Sequence, residues 1–195
     1  MRNDVLCIYY SRTGKTRRAV LEVAEVLGCE AVEVRDSVKR EGALGWLFCG
    51  FDAMRKGTRR LRKFNTAQPL DRYKLVILAT PVWAGRCSSI IRGLLKRRGY
   101  EMQNVAYIIT HASDNLYPSV FEQMDKYSLA PHVAAVSLRI DSVGYHFWRD
   151  QFIKAVEEFL AHAEDVPQVE EKTEEEDGFK ELERLFHRRG EEEDA

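Results

Sequence analysis

Six consecutive residues, Ser11-Arg12-Thr13-Gly14-Lys15-Thr16, crowd three hydroxyls, one glycine and one lysine into a short span. They follow the apolar run Cys7-Ile8-Tyr9-Tyr10 and precede Arg17-Arg18-Ala19-Val20. Strand, short loop and helix start in that order leave several backbone N–H groups without helical acceptors, and the helix dipole adds positive charge at the same place. An anion is doubly favoured there. A triphosphate loop ending in Gly14-Lys15-Thr16 would need a glycine five residues before Gly14, where Tyr9 stands. A dinucleotide fingerprint would need two further glycines. One phosphate monoester fits better, since Ser11, Thr13 and Thr16 can each donate to a terminal dianion.

The elements that must hold this loop can be read from periodicity. Val5 to Tyr10 is an uninterrupted apolar run, as in a strand covered on both faces. Val20, Val23, Ala24 and Leu27 then fall at helical spacing, and Gly28 can close the helix. Ala31 to Val34 is a short strand alternating with charge, which suits an edge. Leu75 to Thr80 is a second buried strand, ending in the loop Pro81-Val82-Trp83-Ala84-Gly85-Arg86. Ser88 can cap a helix with the stripe Ile90, Ile91, Leu94 and Leu95. Lys96, Arg97 and Arg98 suit its negative end, and Gly99 stops it. Val105 to Thr110 is a third buried strand and leads into His111-Ala112-Ser113-Asp114-Asn115. Pro118 to Tyr127 reads as a helix with Val120, Phe121 and Met124 inward. Val133 to Ile140 is a last, alternating strand, and Trp148, Phe152, Val156, Phe159 and Leu160 line a final helix.

Strand and helix alternate five times, which calls for right-handed crossovers and an α/β doubly wound parallel sheet of five strands. Putting the two alternating strands at the edges gives the order 2-1-3-4-5. The loops after Tyr10 and after Thr80 then sit side by side at the carboxyl ends of the strands.

The expected organisation is one domain over residues 1–163 and an acidic tail over 164–195, disordered over most of its length, with a short amphipathic helix at 178–189 built on Phe179, Leu182, Leu185 and Phe186. The net charge of −1 conceals a split: residues 1–165 hold 25 basic and 19 acidic side chains, residues 166–195 hold 5 and 12. A tail so charged can repel, solubilise or fold back onto a basic face. Asp36 to Pro69 is hard to read, with a helix expected over Ala43–Met54. Arg55 to Lys63 carries six basic residues in nine and reads as a solvated basic surface, or as a site for an acidic partner or the chain's own tail. Nucleic acid is disfavoured because no base-stacking aromatic interleaves the run. Cys7, Cys29, Cys49 and Cys87 form no Cys-x-x-Cys pair and have no nearby histidine, so reduced thiols and no metal are expected. No apolar segment is long enough for a membrane span and none precedes the first strand as a signal peptide, so a cytoplasmic protein without membrane contact is expected.

With these motifs in place, the chain resembles the flavodoxin family over roughly residues 4 to 162. Its Ser11-to-Thr16 loop matches the Ser/Thr-x-Thr-Gly-x-Thr loop that holds the phosphate of FMN in that family. Tyr73 to Gly85 looks like the family's third strand and the loop that lies along the flavin ring. The resemblance implies that Ser11, Thr13, Gly14 and Thr16 hold the phosphate, helped by the amides of Arg12 and Lys15. It implies that Thr80, Pro81, Val82, Trp83, Ala84 and Gly85 border the ring, with Trp83 as the aromatic contact and Gly85 or a neighbour presenting a carbonyl to it. His111, Ala112 and Ser113 would approach from the other side. The family's electron carriers are acidic and often offer a second stacking tyrosine, whereas this body is basic and Tyr117 is the nearest tyrosine. Arg12, Lys15, Arg17 and Arg18 would make the site positive, which favours the reduced, anionic flavin. The function implied is an FMN-binding redox protein that passes electrons to or from a redox partner protein. An FMN-dependent enzyme taking hydride from NAD(P)H for a quinone or small acceptor is the alternative, and a flavin-free binding or scaffold protein the third reading.

Overall fold

The three uninterrupted apolar runs form the middle of one sheet. In this computed structural model, which describes residues 2–36, 58 and 61–165, the strands are β1 (Arg2–Tyr9), β2 (Cys29–Glu33), β3 (Leu75–Trp83), β4 (Arg86–Cys87), β5 (Val105–Thr110) and β6 (Ala134–Leu138). The helices are α1 (Lys15–Leu27), α2 (Ser89–Arg98), α3 (Pro118–Asp125) and α4 (Tyr145–Asp165). The long strands are parallel in the order β2-β1-β3-β5-β6, the expected 2-1-3-4-5 with one short strand, β4, added antiparallel to β3. Cys49, the expected helix over Ala43–Met54, most of Arg55–Lys63 and the tail beyond Asp165 lie outside the described residues.

Side chains that alternate along a strand feed two cores. Val5, Cys7 and Tyr9 of β1 face α1 and α4 with Leu75 and Ile77, whereas Leu6, Ile8 and Tyr10 face α2 and α3 with Val76 and Leu78. Helix α1 buries the predicted Val20, Val23, Ala24 and Leu27, and Gly28 closes it at φ 65°. Ser88 caps α2 as expected, its hydroxyl accepting from the Ile91 amide at 3.4 Å.

Two expectations are corrected. Strand β3 does not end at Thr80: it runs on to Trp83 because Val82 and Trp83 gain antiparallel partners in Cys87 and Arg86. The expected loop is therefore a tight hairpin whose two turn residues, Ala84 at φ 45° and Gly85 at φ 69°, both take positive φ. That is the signature of a type I′ turn, whose twist matches the flanking strands. Trp148 does not join the apolar stripe of α4; it is 54% exposed, and Tyr145, 1% exposed, takes the inward place at the head of the helix. Gly99 does end α2, as its C-cap, and does so with ordinary helical angles, φ −62°, ψ −31°. Its lack of a side chain serves a close approach: a Cβ there would lie 1.9 Å from the Tyr127 carbonyl oxygen.

Candidate functional site

The parallel register brings the two motif loops together. The Tyr10 amide donates to the Ala79 carbonyl at 3.1 Å, and the Tyr10 and Trp83 rings meet edge to face at 5.6 Å. Between Tyr10 and α1 the chain turns through Ser11 to Gly14. Ser11 Oγ accepts from the Gly14 amide at 3.1 Å, which shapes the turn and leaves the hydroxyl proton free to donate elsewhere. Gly14 is the N-cap at φ 88°, has open space where a Cβ would point, and supplies no side-chain cap. The first helical amide with a backbone acceptor is that of Arg18, on the Gly14 carbonyl at 2.9 Å. Among the described residues the amides of Lys15, Thr16 and Arg17 meet no acceptor. Unclaimed amides, an exposed Thr13 and a half-buried Ser11 form a donor set that fits a phosphate-sized anion.

The other motif residues divide between this mouth and the interior. Thr16 is 2% exposed and its hydroxyl is 2.7 Å from that of Thr110, the last residue of β5, so it ties the loop to the sheet. Thr80 is fully buried; its hydroxyl donates to Ser88 Oγ and accepts from the Ser88 amide, both at 2.9 Å, locking the base of the hairpin. Pro81, Val82, Trp83 and Gly85 are half-buried and Ala84 is exposed at the tip.

Beyond β5, His111 Nδ1 lies 2.8 Å from the Ser113 carbonyl oxygen, which can only accept, so Nδ1 carries the proton. Nε2 then accepts from Ser137 Oγ at 2.9 Å. Burial lowers the pKa of His111, and its neutral form has both nitrogens engaged. His111 is thus a strap between β5 and β6. Ala112 is exposed, and the Ser113 hydroxyl is 2.7 Å from that of Tyr117, whose ring meets His111 at 5.3 Å. Tyr117 does reach this cluster from four residues along, in the left-handed conformation at φ 52°.

The charge around the loop differs from the expectation. Lys15 pairs with Asp141, Arg17 with Glu33, and Arg18 with Glu22, so three of the four cations are matched by carboxylates. Glu22 is a hub between α1 and α4: it accepts from Tyr145 at 2.7 Å, Arg149 at 2.8 Å and Arg18 at 2.9 Å. Burial pushes this carboxyl up, but the three hydrogen bonds outweigh it and bring it to about 2. Thr110, Ser137, Glu22 and Asp141 tie neighbouring elements together, and apart from the i,i+4 pair of Arg18 with Glu22 their partners lie too far away in the chain to leave a local pattern. The hairpin did leave a signal, a glycine in a two-residue gap between residues able to pair.

The described end of the basic run reaches a different place. Arg62, Lys63, Arg97 and Arg98, with Phe64 and Leu94, line a groove of about 580 Å³. Arg98 is held there by Glu101 at 2.6 Å and lies over the Phe64 ring. Among the described residues no three His, Cys, Asp or Glu side chains are placed to hold a metal ion, and no helix is long and apolar enough to cross a membrane.

A doubly wound sheet in this order, with the two motif loops meeting at its carboxyl edge, is a flavodoxin-like fold. Solved structures agree at the level of the fold. A flavoprotein in complex with FMN from Lactobacillus acidophilus NCFM superposes with a TM-score of 0.57 at 21% identity, covering 75% of this chain and 99% of that one. A candidate flavoprotein from Bacteroides eggerthii DSM 20697 gives a TM-score of 0.63 at 18% identity, covering 77% and 98%. A candidate flavoprotein from Bacteroides uniformis ATCC 8492 gives 0.63 at 19%, covering 80% and 99%. No protein-family model and no curated protein matches the chain.

Proposed function

We propose that the chain binds FMN at the carboxyl edge of its sheet and serves as a redox protein through the bound flavin. The observation that carries this reading is the meeting of the two motifs: the Tyr10–Ala79 hydrogen bond and the Tyr10–Trp83 ring contact join an uncapped, hydroxyl-rich helix start to an aromatic hairpin. The fold shared with an FMN-bound flavoprotein supports it. In this reading the amides of Lys15, Thr16 and Arg17, the hydroxyls of Ser11 and Thr13, and Arg12 hold the phosphate. Thr16 fixes the loop through Thr110. Trp83 and its neighbours Pro81, Val82, Ala84 and Gly85 border the ring, with Thr80 securing their base, and His111, Ala112 and Ser113 close the other side. FMN would supply one- and two-electron chemistry; the chain binds it, orients it and excludes water from it.

The electron partner in this reading is a redox protein. Purified chain is expected to carry a flavin absorbance or to quench the fluorescence of added FMN to saturation. A colourless protein that leaves FMN fluorescence unchanged would overturn the proposal. Anaerobic mixing with NADH or NADPH then separates roles, because rapid bleaching without a reductase would assign the hydride-accepting enzyme in place of the carrier.

A further inference from the structure

The one lysine of the phosphate loop is already engaged. Its partner, Asp141, lies in the connection after β6, 126 residues away in sequence. Both side chains are exposed, Lys15 by 50% and Asp141 by 67%. Two residues earlier, Arg139 pairs with Asp114 in the connection after β5. One short segment thus touches both neighbouring loops with opposite charges. Lys15 first, then Arg18 and Arg139, hold the Asp141 carboxyl below its ordinary range, so the acid is fully ionised at neutral pH. An exposed pair of this kind exchanges partners at little cost, because solvent and salt screen it. A phosphate dianion brought to the start of α1 offers Lys15 more charge and more acceptor oxygens than a single carboxylate does.

Resting on the FMN reading above, we propose that Asp141 is a built-in competitor of the cofactor phosphate for Lys15. This one acid would set how tightly, and with what salt dependence, the site holds a phosphorylated flavin. Riboflavin has no phosphate and is blind to the competition.

The test titrates FMN and riboflavin into the full chain by fluorescence quenching, at low and high salt, with Asp141→Asn, Lys15→Gln, the double variant and Arg139→Gln. Freeing Lys15 by Asp141→Asn is expected to tighten FMN about two- to fivefold at low salt, on the scale of the exposed ion pair that no longer has to be broken. The gain should shrink at high salt, be absent for riboflavin, and vanish in the Lys15→Gln background. Arg139→Gln loosens the same segment without releasing Lys15 and should leave FMN affinity unchanged. A gain shared by riboflavin, one that survives Lys15→Gln, an equal gain from Arg139→Gln, or no gain at all would each overturn the proposal. FMN bound equally well by the parent and Asp141→Asn sinks this inference alone, whereas a parent that binds no flavin removes the FMN reading and the inference with it.

Discussion

Glu22 receives three hydrogen bonds, from Tyr145, Arg149 and Arg18, and two of those donors lie on the far helix. Its folded-state pKa falls from the ordinary 4.5 to about 2. A carboxyl depressed in this way stabilises the fold fully above its unfolded value, and the contribution drains away as pH falls toward the folded one. Glu22→Gln is therefore expected to be less stable than the parent at about pH 7, with the gap closing between about pH 4.5 and 2. Urea midpoints across that window check it, and curves that stay parallel would mean the hub carries no proton linkage. At this scale residue types were legible and partners were not. Thr16 reads as a phosphate ligand from its place in the motif, whereas nothing local announces that its hydroxyl also lies 2.7 Å from that of Thr110. The loop cations read as a field of positive charge, yet Lys15 and Arg17 meet carboxylates from other elements, Asp141 and Glu33, and Arg18 meets Glu22 one turn further along α1.

Among the elements, the β3–β4 hairpin positions Trp83 as a strand residue, paired with Arg86, so its ring is set by the sheet and not by a loop's own preferences. The turn places a side chain where glycine or asparagine is usual: Ala84 sits at φ 45°. Ala84→Gly should relieve that strain and stabilise the fold by about 0.5–1 kcal/mol after glycine's own entropy cost is subtracted. Thermal unfolding measures it; a lower midpoint for the variant would show that the alanine methyl makes contacts worth more than the strain. The helices and strands themselves were readable because each covers its full period with apolar residues, as Val20, Val23, Ala24 and Leu27 do in α1. Pro81 argues against a strand interior and so masks the hairpin's signal in the sequence. It is tolerated here where β3 runs past the body of the sheet, in register with Thr110, the last residue of β5.

For the whole molecule, the order of the five long strands followed from which runs were continuous and which alternated, since only the edges leave a strand face partly wet. That order is also what brings two loops some seventy residues apart side by side. The excess of basic over acidic side chains in residues 1–165, 25 against 19, is concentrated in part at the groove shared by Arg62, Lys63, Arg97 and Arg98. Neither its two-segment origin nor its place was readable from composition, because the basic runs that meet there lie on either side of a whole strand. At the start of α1, a buried helix face and unclaimed amides coexist within one turn. The amides of Lys15, Thr16 and Arg17 have no acceptor to release before trading their hydrogens with solvent, whereas those of Val20 and Val23 do. In deuterated water the first three should label at once while the next turn stays protonated. Any anion that settles on the loop would then announce itself as a slowing of those three alone, readable by proton exchange whether or not the anion has a colour.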